Sequence, residues 1–204
     1  MLPNVSGISK ELIFFLKDRL GLSYTSIFLD EYILSNKEEN LIKEFIDLKS
    51  QGFPLDYILQ NTSFYKDDFY VDRRVLVPRP ETELLVDYVN GLNLKPGMKI
   101  LDAGTGSGCI GISIAKYNPN VTVYGIDYSS GALEVAYINK KNKLANNFYL
   151  INSDWLNCIQ ERTINILVSN PPYIAPSDTH LENLKYVWVY IFNSRNWIVC
   201  TSTI

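Results

Sequence analysis

The chain has 204 residues, a formal charge of −3 and 47% hydrophobic residues, enough for a folded core. Its acidic balance, with a pI of about 5.2, excludes a broad basic field that would draw nucleic acid. Three cysteines (Cys109, Cys158, Cys200) without metal-ligand spacing and one histidine (His180) give little for a metal centre or a nucleophilic triad. We read the cysteines as reduced thiols and expect no metal. Charges at Lys10, Glu11, Lys17, Asp18 and Arg19 break any secretory h-region. No stretch reaches the length of a membrane span. A cytoplasmic protein is the expectation.

In chain order, residues 8 to about 51 carry helical periodicity. Ile8, Leu12, Phe15, Leu16 and Leu20 share one face, and Leu41, Phe45 and Leu48 another. Asn36 to Asn40 offers a capped start for the second helix, and Gly52-Phe-Pro54 ends the region. Residues 62 to 77 alternate apolar and polar, which predicts a hairpin. Residues 80 to 92 predict a helix. The divisions expected are a helical domain over 1–60, a hairpin linker and lead-in helix over 61–94, and a nucleotide-type domain over 95–204.

That last domain begins with a strand, Met98 to Asp102. It runs into Ala103-Gly104-Thr105-Gly106-Ser107-Gly108-Cys109 and a helix from Ile110 to Lys116. Strand, glycine loop and helix make a nucleotide-site layout. Glycine permits close backbone approach and positive φ, and the helix start offers N–H groups. Gly106-x-Gly108-x-x-Gly111, with Asp127 about 20 residues on, also fits a dinucleotide fingerprint, so a nicotinamide enzyme stays open here. Asp102, before the first glycine, is placed to face a cationic amino acid group. The unbroken Gly-x-Gly-x-Gly suits a nucleoside.

A second strand, Asn120 to Ile126, delivers Asp127, whose carboxylate would accept from a ribose diol. A third, Tyr149 to Asn152, leads to Ser153-Asp154-Trp155. Asp154 would accept from an adenine amine, and Trp155 would offer its face. A fourth, Ile164 to Ser169, ends at Asn170-Pro171-Pro172-Tyr173. The prolines remove two donors and stiffen the loop. Asn-Pro and Pro-Pro are also ordinary turn punctuation; the functional reading is that an Asn oxygen, bare carbonyls and a ring make a receptor for a planar NH2 group. Open α/β sheets bind ligands at the carboxyl ends of their strands. The competing reading of each acidic residue is a helix N-cap.

Asp102-Ala-Gly-Thr-Gly-Ser-Gly108, Gly125-Ile-Asp127, Ser153-Asp-Trp155 and Asn170-Pro-Pro-Tyr173 resemble the motifs of class I S-adenosylmethionine-dependent methyltransferases. Pro54-Leu-Asp-Tyr-Ile-Leu59, Phe64 to Val71 and Val75-Leu-Val-Pro-Arg-Pro-Glu-Thr-Glu83 are similar to one branch, the bacterial release-factor glutamine methyltransferases of the PrmC/HemK family. The likeness runs from about residue 5 to 185. It implies a Rossmann-like α/β domain behind a small helical domain that helps hold the substrate. It implies S-adenosylmethionine as cofactor and methylation of the glutamine amide in the Gly-Gly-Gln loop of class I peptide chain release factors. By motif position, Gly104, Thr105, Gly106, Ser107, Gly108, Asp127, Trp155 and Asn170 would bind cofactor, and Asn170, Pro171, Pro172 and Tyr173 would receive the glutamine. The alternatives are a nucleic-acid adenine amino-methyltransferase and a non-catalytic remnant.

The C-terminus departs from the family. From Trp188 onward the expected acidic, glycine-rich stretch and its hairpin are missing, as in a frameshifted or prematurely ended gene. The methyltransferase domain is therefore expected to be incomplete, with its fourth strand at or near an open edge unless residues 186 to 200 cover it. Such an edge favours self-association and weak or absent turnover. The rival expectation is a short form whose tail supplies one edge strand.

Overall fold

The computed structural model describes residues 10–28, 33–160, 163–170, 186–193 and 196–203, the last two spans as backbone. It divides into two compact units, Met1–Asn61 and Thr62–Ile204.

The first unit holds α1 (Lys10–Leu20), α2 (Tyr24–Phe28), α3 (Asn36–Ser50) and α4 (Leu55–Leu59). The predicted apolar faces meet here. Leu12, Phe15, Leu16, Ile42, Phe45 and Leu59 form one core, with the Phe15 and Phe45 rings 4.5 Å apart. Leu20, Leu41 and Leu48 are half-buried, and Ile8 lies outside the described residues. The start of α3 is set one residue earlier than expected. Ser35 is the N-cap of a capping box, its hydroxyl accepting from Glu38 N–H while Glu38 Oε2 accepts from Ser35 N–H at 2.8 Å.

The second unit opens with a hairpin of β1 (Thr62–Phe64) and β2 (Asp67–Phe69), shorter than the predicted 62–77. Its two-residue turn, Tyr65-Lys66, has both φ angles positive (47° and 66°), the conformation that matches strand twist but usually falls to Asn or Gly. The Tyr65 hydroxyl donates to Asp87 at 2.7 Å and accepts from Asn90 at 3.1 Å, which holds the turn on the following helix. That helix is broken in two: a 3₁₀ turn over Pro80–Thr82, then α5 (Glu83–Asn90). Pro80 suits the first turn, where its missing N–H is not needed.

Then come β3 (Lys99–Ala103), α6 (Cys109–Tyr117), β4 (Thr122–Asp127), α7 (Ser130–Asn142), β5 (Phe148–Asn152), β6 (Ile166–Ser169), β7 (Tyr186–Asn193) and β8 (Asn196–Thr203). The sheet order is β5-β4-β3-β6-β7-β8. The first four strands are parallel. Four consecutive buried residues in β3, Ile100 to Ala103, mark a strand covered on both faces. Ile100 packs with Phe64, Phe69, Val86 and Phe148 in the larger core. Leu101 and Ala103 meet Ile126 in the smaller one. This is the expected Rossmann-like α/β domain.

The fourth strand is not an edge. β6 pairs antiparallel with β7, and β7 with β8. The tail thus supplies two strands, an antiparallel hairpin, where the rival expectation allows one edge strand. Its Val, Ile, Tyr and Trp content is strand-forming.

Candidate active site

Strand order fixes where a site belongs. The chain runs outward from β3 through β4 to β5, then returns to place β6 on the other side of β3. The crevice between β3 and β6 is therefore the topological switch point. A cleft of about 430 Å³ opens there, lined by Gly104 and Gly106 after β3, Asp127 to Ser129 after β4, Ser153 to Trp155 after β5, and Asn170 after β6.

The glycine loop is shaped from both sides. Gly104 and Gly106 have φ of +73° and +53°, and a Cβ on either would meet nothing within 4 Å. They give the cleft a bare backbone wall that a ligand can approach. Gly108 serves otherwise: its Cβ would come within 3.0 Å of Ile112 and 3.2 Å of Ala136. Gly111, read as the third fingerprint glycine, lies over Phe148, whose ring would be 2.4 Å from an added Cβ. That is a packing role between helix and sheet.

The candidate acids take different places. Asp127 lines the cleft. Its Oδ2 accepts from Gly106 N–H and its Oδ1 from Ser129 N–H, each at 2.9 Å. The loop is thus clamped to the end of β4. The N-cap of α7 is Ser129, not Asp127, and Asp154 at the start of a 3₁₀ turn makes no side-chain cap bond. Neither cleft carboxylate is accounted for by capping. Asp102 points elsewhere. It is fully buried, and its Oδ2 accepts from the Thr105 hydroxyl at 2.6 Å and from Gly111 N–H at 3.0 Å. Burial pushes its carboxyl up to about 6 against the pull of those two donors, and Asp127 adds to the rise. Thr105 and Ser107 are buried with it and do not line the cleft.

Trp155 is half-exposed on the cleft wall, with the rare non-glycine φ of +50°. Asn170 stands at the end of β6, its amide nitrogen donating to the buried Thr82 hydroxyl at 3.0 Å. The strand end is itself fixed, since Ser169 Oγ donates to Ala103 O at 2.7 Å. Pro171, Pro172 and Tyr173 lie outside the described residues.

Several contributors were not singled out from sequence. Asn139 on α7 donates to Tyr70 O and Ser107 O and accepts from Tyr70 N–H, stapling the segment after the hairpin to the glycine loop. Its signal was an Asn on the same helical face as the buried Val135 and Ala136. Arg74 lines the cleft while bonded to Asp72 and Glu134. Its hydrogen bonds hold the Asp72 carboxyl down to about 2. Tyr128 adds a second, largely exposed ring. Burial pushes the Cys109 thiol up to about 12, which makes it inert. Among the described residues no cluster of His, Cys, Asp or Glu could hold a metal ion, and no helix is long and apolar enough to cross a membrane.

Residues 80–191 match the family model described as "Methyltransferase small domain". The chain belongs to that methyltransferase family. Among curated relatives, the release factor glutamine methyltransferase of Flavobacterium psychrophilum is 44% identical over 152 residues, 69% of this chain and 52% of that protein. The one from Streptococcus pneumoniae is 36% identical over 182 residues, 88% of this chain and 64% of its own length. This methyltransferase chain spans about half to two-thirds the length of the relatives it matches. Among solved structures, an S-adenosylmethionine-dependent methyltransferase from Agrobacterium tumefaciens covers 55% of this chain and 39% of its own, with 18% identity and a TM-score of 0.45.

Proposed function

We propose that this chain carries the cofactor site and amide-receiving residue of a release-factor glutamine methyltransferase. It would transfer a methyl group from S-adenosylmethionine to the side-chain amide nitrogen of the Gly-Gly-Gln glutamine in class I release factors, in the cytoplasm. The observation that carries this is the junction of two features in one cleft: a glycine-walled nucleoside site and, on its rim, the amide of Asn170. The curated relatives with release factor methyltransferase names support the substrate.

The residues fit the cofactor. Bare Gly104 and Gly106 backbone gives room that a side chain would fill. Asp127 is already used by two backbone donors, but each carboxylate oxygen has a second lone pair for a ribose hydroxyl. Asp154 and Trp155 would take the amine and face of an adenine. Thr105, Ser107, Gly108 and Asp102 would act by shaping the loop. Bound there, S-adenosylmethionine supplies an electrophilic methyl. Asn170 Oδ1 would accept an N–H of the glutamine amide and hold the nitrogen in place. Fixed position and a fixed acceptor supply the main rate gain for so weak a nucleophile.

The test is tritium transfer from labelled cofactor to a class I release factor, to its Gln-to-Ala variant and to DNA. Label on the parent release factor alone is the expected result. Label on DNA, or equal label on both release factors, overturns the proposal.

A further inference from the structure

We infer that Asn139 is a positioning residue of the cofactor cleft, setting the spacing between its glycine-loop wall and its linker wall. The inference rests on the reading of that cleft as the S-adenosylmethionine site. The two walls come from distant parts of the chain. Gly104 and Gly106 form one, and Arg74, Val75 and Leu76, from the segment after the hairpin, stand on the other. Asn139 is not itself on the cleft wall. It sits on α7 at 0% exposure, on a helix that also buries Ala132, Val135 and Ala136. An apolar residue would suit such a place, because a buried amide is costly unless it is hydrogen-bonded.

The three side-chain hydrogen bonds of Asn139 all leave its own helix. Oδ1 accepts from Tyr70 N–H at 2.7 Å, and Nδ2 donates to Tyr70 O at 2.9 Å and to Ser107 O at 2.8 Å. The partners are main-chain groups of fixed character, one donor and two acceptors, so a single orientation of the amide satisfies them. One side chain thus holds both the main chain next to Gly106 and the main chain four residues before Arg74. From Tyr70 onward the linker is braced. Arg74 N–H donates to Asp72 Oδ1 at 3.0 Å and Val75 N–H to Asp72 O at 3.1 Å. A second tie from this segment to α7, Arg74 to Glu134, is solvent-exposed and worth little. The buried Val71 and Val75 press the segment inward, but apolar burial is non-directional. The Asn139 bonds are directional and out of water, and they set where the linker wall stands against the loop.

The test is hydrogen exchange resolved to single amides, on the whole 204-residue chain. In the parent, saturating adenosylhomocysteine should slow Gly106 N–H and, through Asn139, Tyr70 N–H, the latter about tenfold, the scale of one hydrogen bond. Slowing at Gly106 with Tyr70 unchanged overturns the inference, and this arm needs no variant to fold. Asn139→Ala cuts the tie and leaves room for water on the freed groups. In that variant without ligand, Gly106 N–H and Val75 N–H should both exchange faster while the β3–β4 ladder stays protected. Parent-like exchange at either one overturns the inference, ligand or no ligand. Adenosylhomocysteine affinity of the folded variant should fall about tenfold. Val89→Ala, a cavity in the core on α5, controls for lost stability and should keep the parent's affinity. An equal loss in both variants makes Asn139 a structural residue only and overturns its positioning role. A parent that binds no adenosylhomocysteine sinks the cofactor reading instead, and the ligand-free exchange then decides the Asn139 tie by itself.

Discussion

Two neighbouring strand ends put the same residue type to opposite uses. β3 ends near Asp102 and β4 at Asp127, and both carboxylates bind the one glycine loop. Asp102 holds it from within, through Thr105 and Gly111, at 0% exposure. Asp127 holds it from the cleft side, through Gly106. The inner acid braces the loop from the core, and the outer one lines the cleft. Sequence position alone does not separate them, since each is the acidic residue at a strand end before a turn. What separates them is Gly111, whose N–H reaches Oδ2 of Asp102 because no Cβ intervenes.

If that division holds, Asp102→Ala should damage stability before binding. It orphans a buried hydroxyl and a buried N–H, a loss on the order of 4 kcal/mol at about 1–3 per group. A denaturant melt should show it as a large fall in midpoint. A melt like the parent's, with lost cofactor binding, would reverse the two roles.

Titration sharpens the same contrast. The Asp102 carboxyl sits at about 6 in the fold, above its ordinary value near 3.9. The folded state thus holds the proton more tightly than the unfolded chain. That contribution is fully present below about pH 4 and is lost as pH rises through about 6, up to about 3 kcal/mol in all. Subtracting the Asp102→Asn stability profile from the parent's should reveal the step. A flat difference between pH 3 and 7 would show that the buried group does not titrate there.

The outer acid should behave oppositely. Asp127→Ala should weaken adenosylhomocysteine binding about tenfold to a hundredfold, near 2 kcal/mol for a bond to a charged group, with a smaller change in the melt. Calorimetry giving parent affinity would remove Asp127 from the ligand.

The parts of this site that were legible were local ones. β3, its glycine loop, β4 with Asp127 and β6 with Asn170 each announce themselves by an apolar run followed by Gly, Asp or Asn-Pro. The parallel sheet followed from strands alternating with helices. What was not legible depends on contacts between distant segments. Nothing near Asn170 names Thr82, and nothing near Gly111 or Gly125 names Phe148, whose ring excludes a Cβ at both. The Tyr65-Lys66 turn has no glycine or asparagine to reveal its positive φ. The Ser35 cap was legible and misplaced by one residue, because Asn36 is also a good capper. The tail's β-branched and aromatic content is legible as one edge strand, but its division into β7 and β8 is not.

The smallest effects test the two faces of the glycine loop itself. Gly106→Ala and Gly104→Ala place a methyl at positive φ but in open space. The strain of a left-handed Ala is about 1–2 kcal/mol, so both variants should fold and lose only a few degrees of Tm. Their methyl groups would stand on the cleft wall, so adenosylhomocysteine affinity should fall in both. Gly111→Ala makes the converse change. Its φ is ordinary, but its Cβ would lie 2.4 Å from the Phe148 ring, a contact the fully buried ring cannot relieve by moving into solvent. Overpacking of this kind costs about 1–3 kcal/mol or more. The Gly111 variant should therefore lose more Tm than either cleft glycine. Once folded, it should bind adenosylhomocysteine more nearly as the parent does. If the ranking of Tm losses inverts, the loop is held from the cleft side, and Asp127, not Asp102, is its brace.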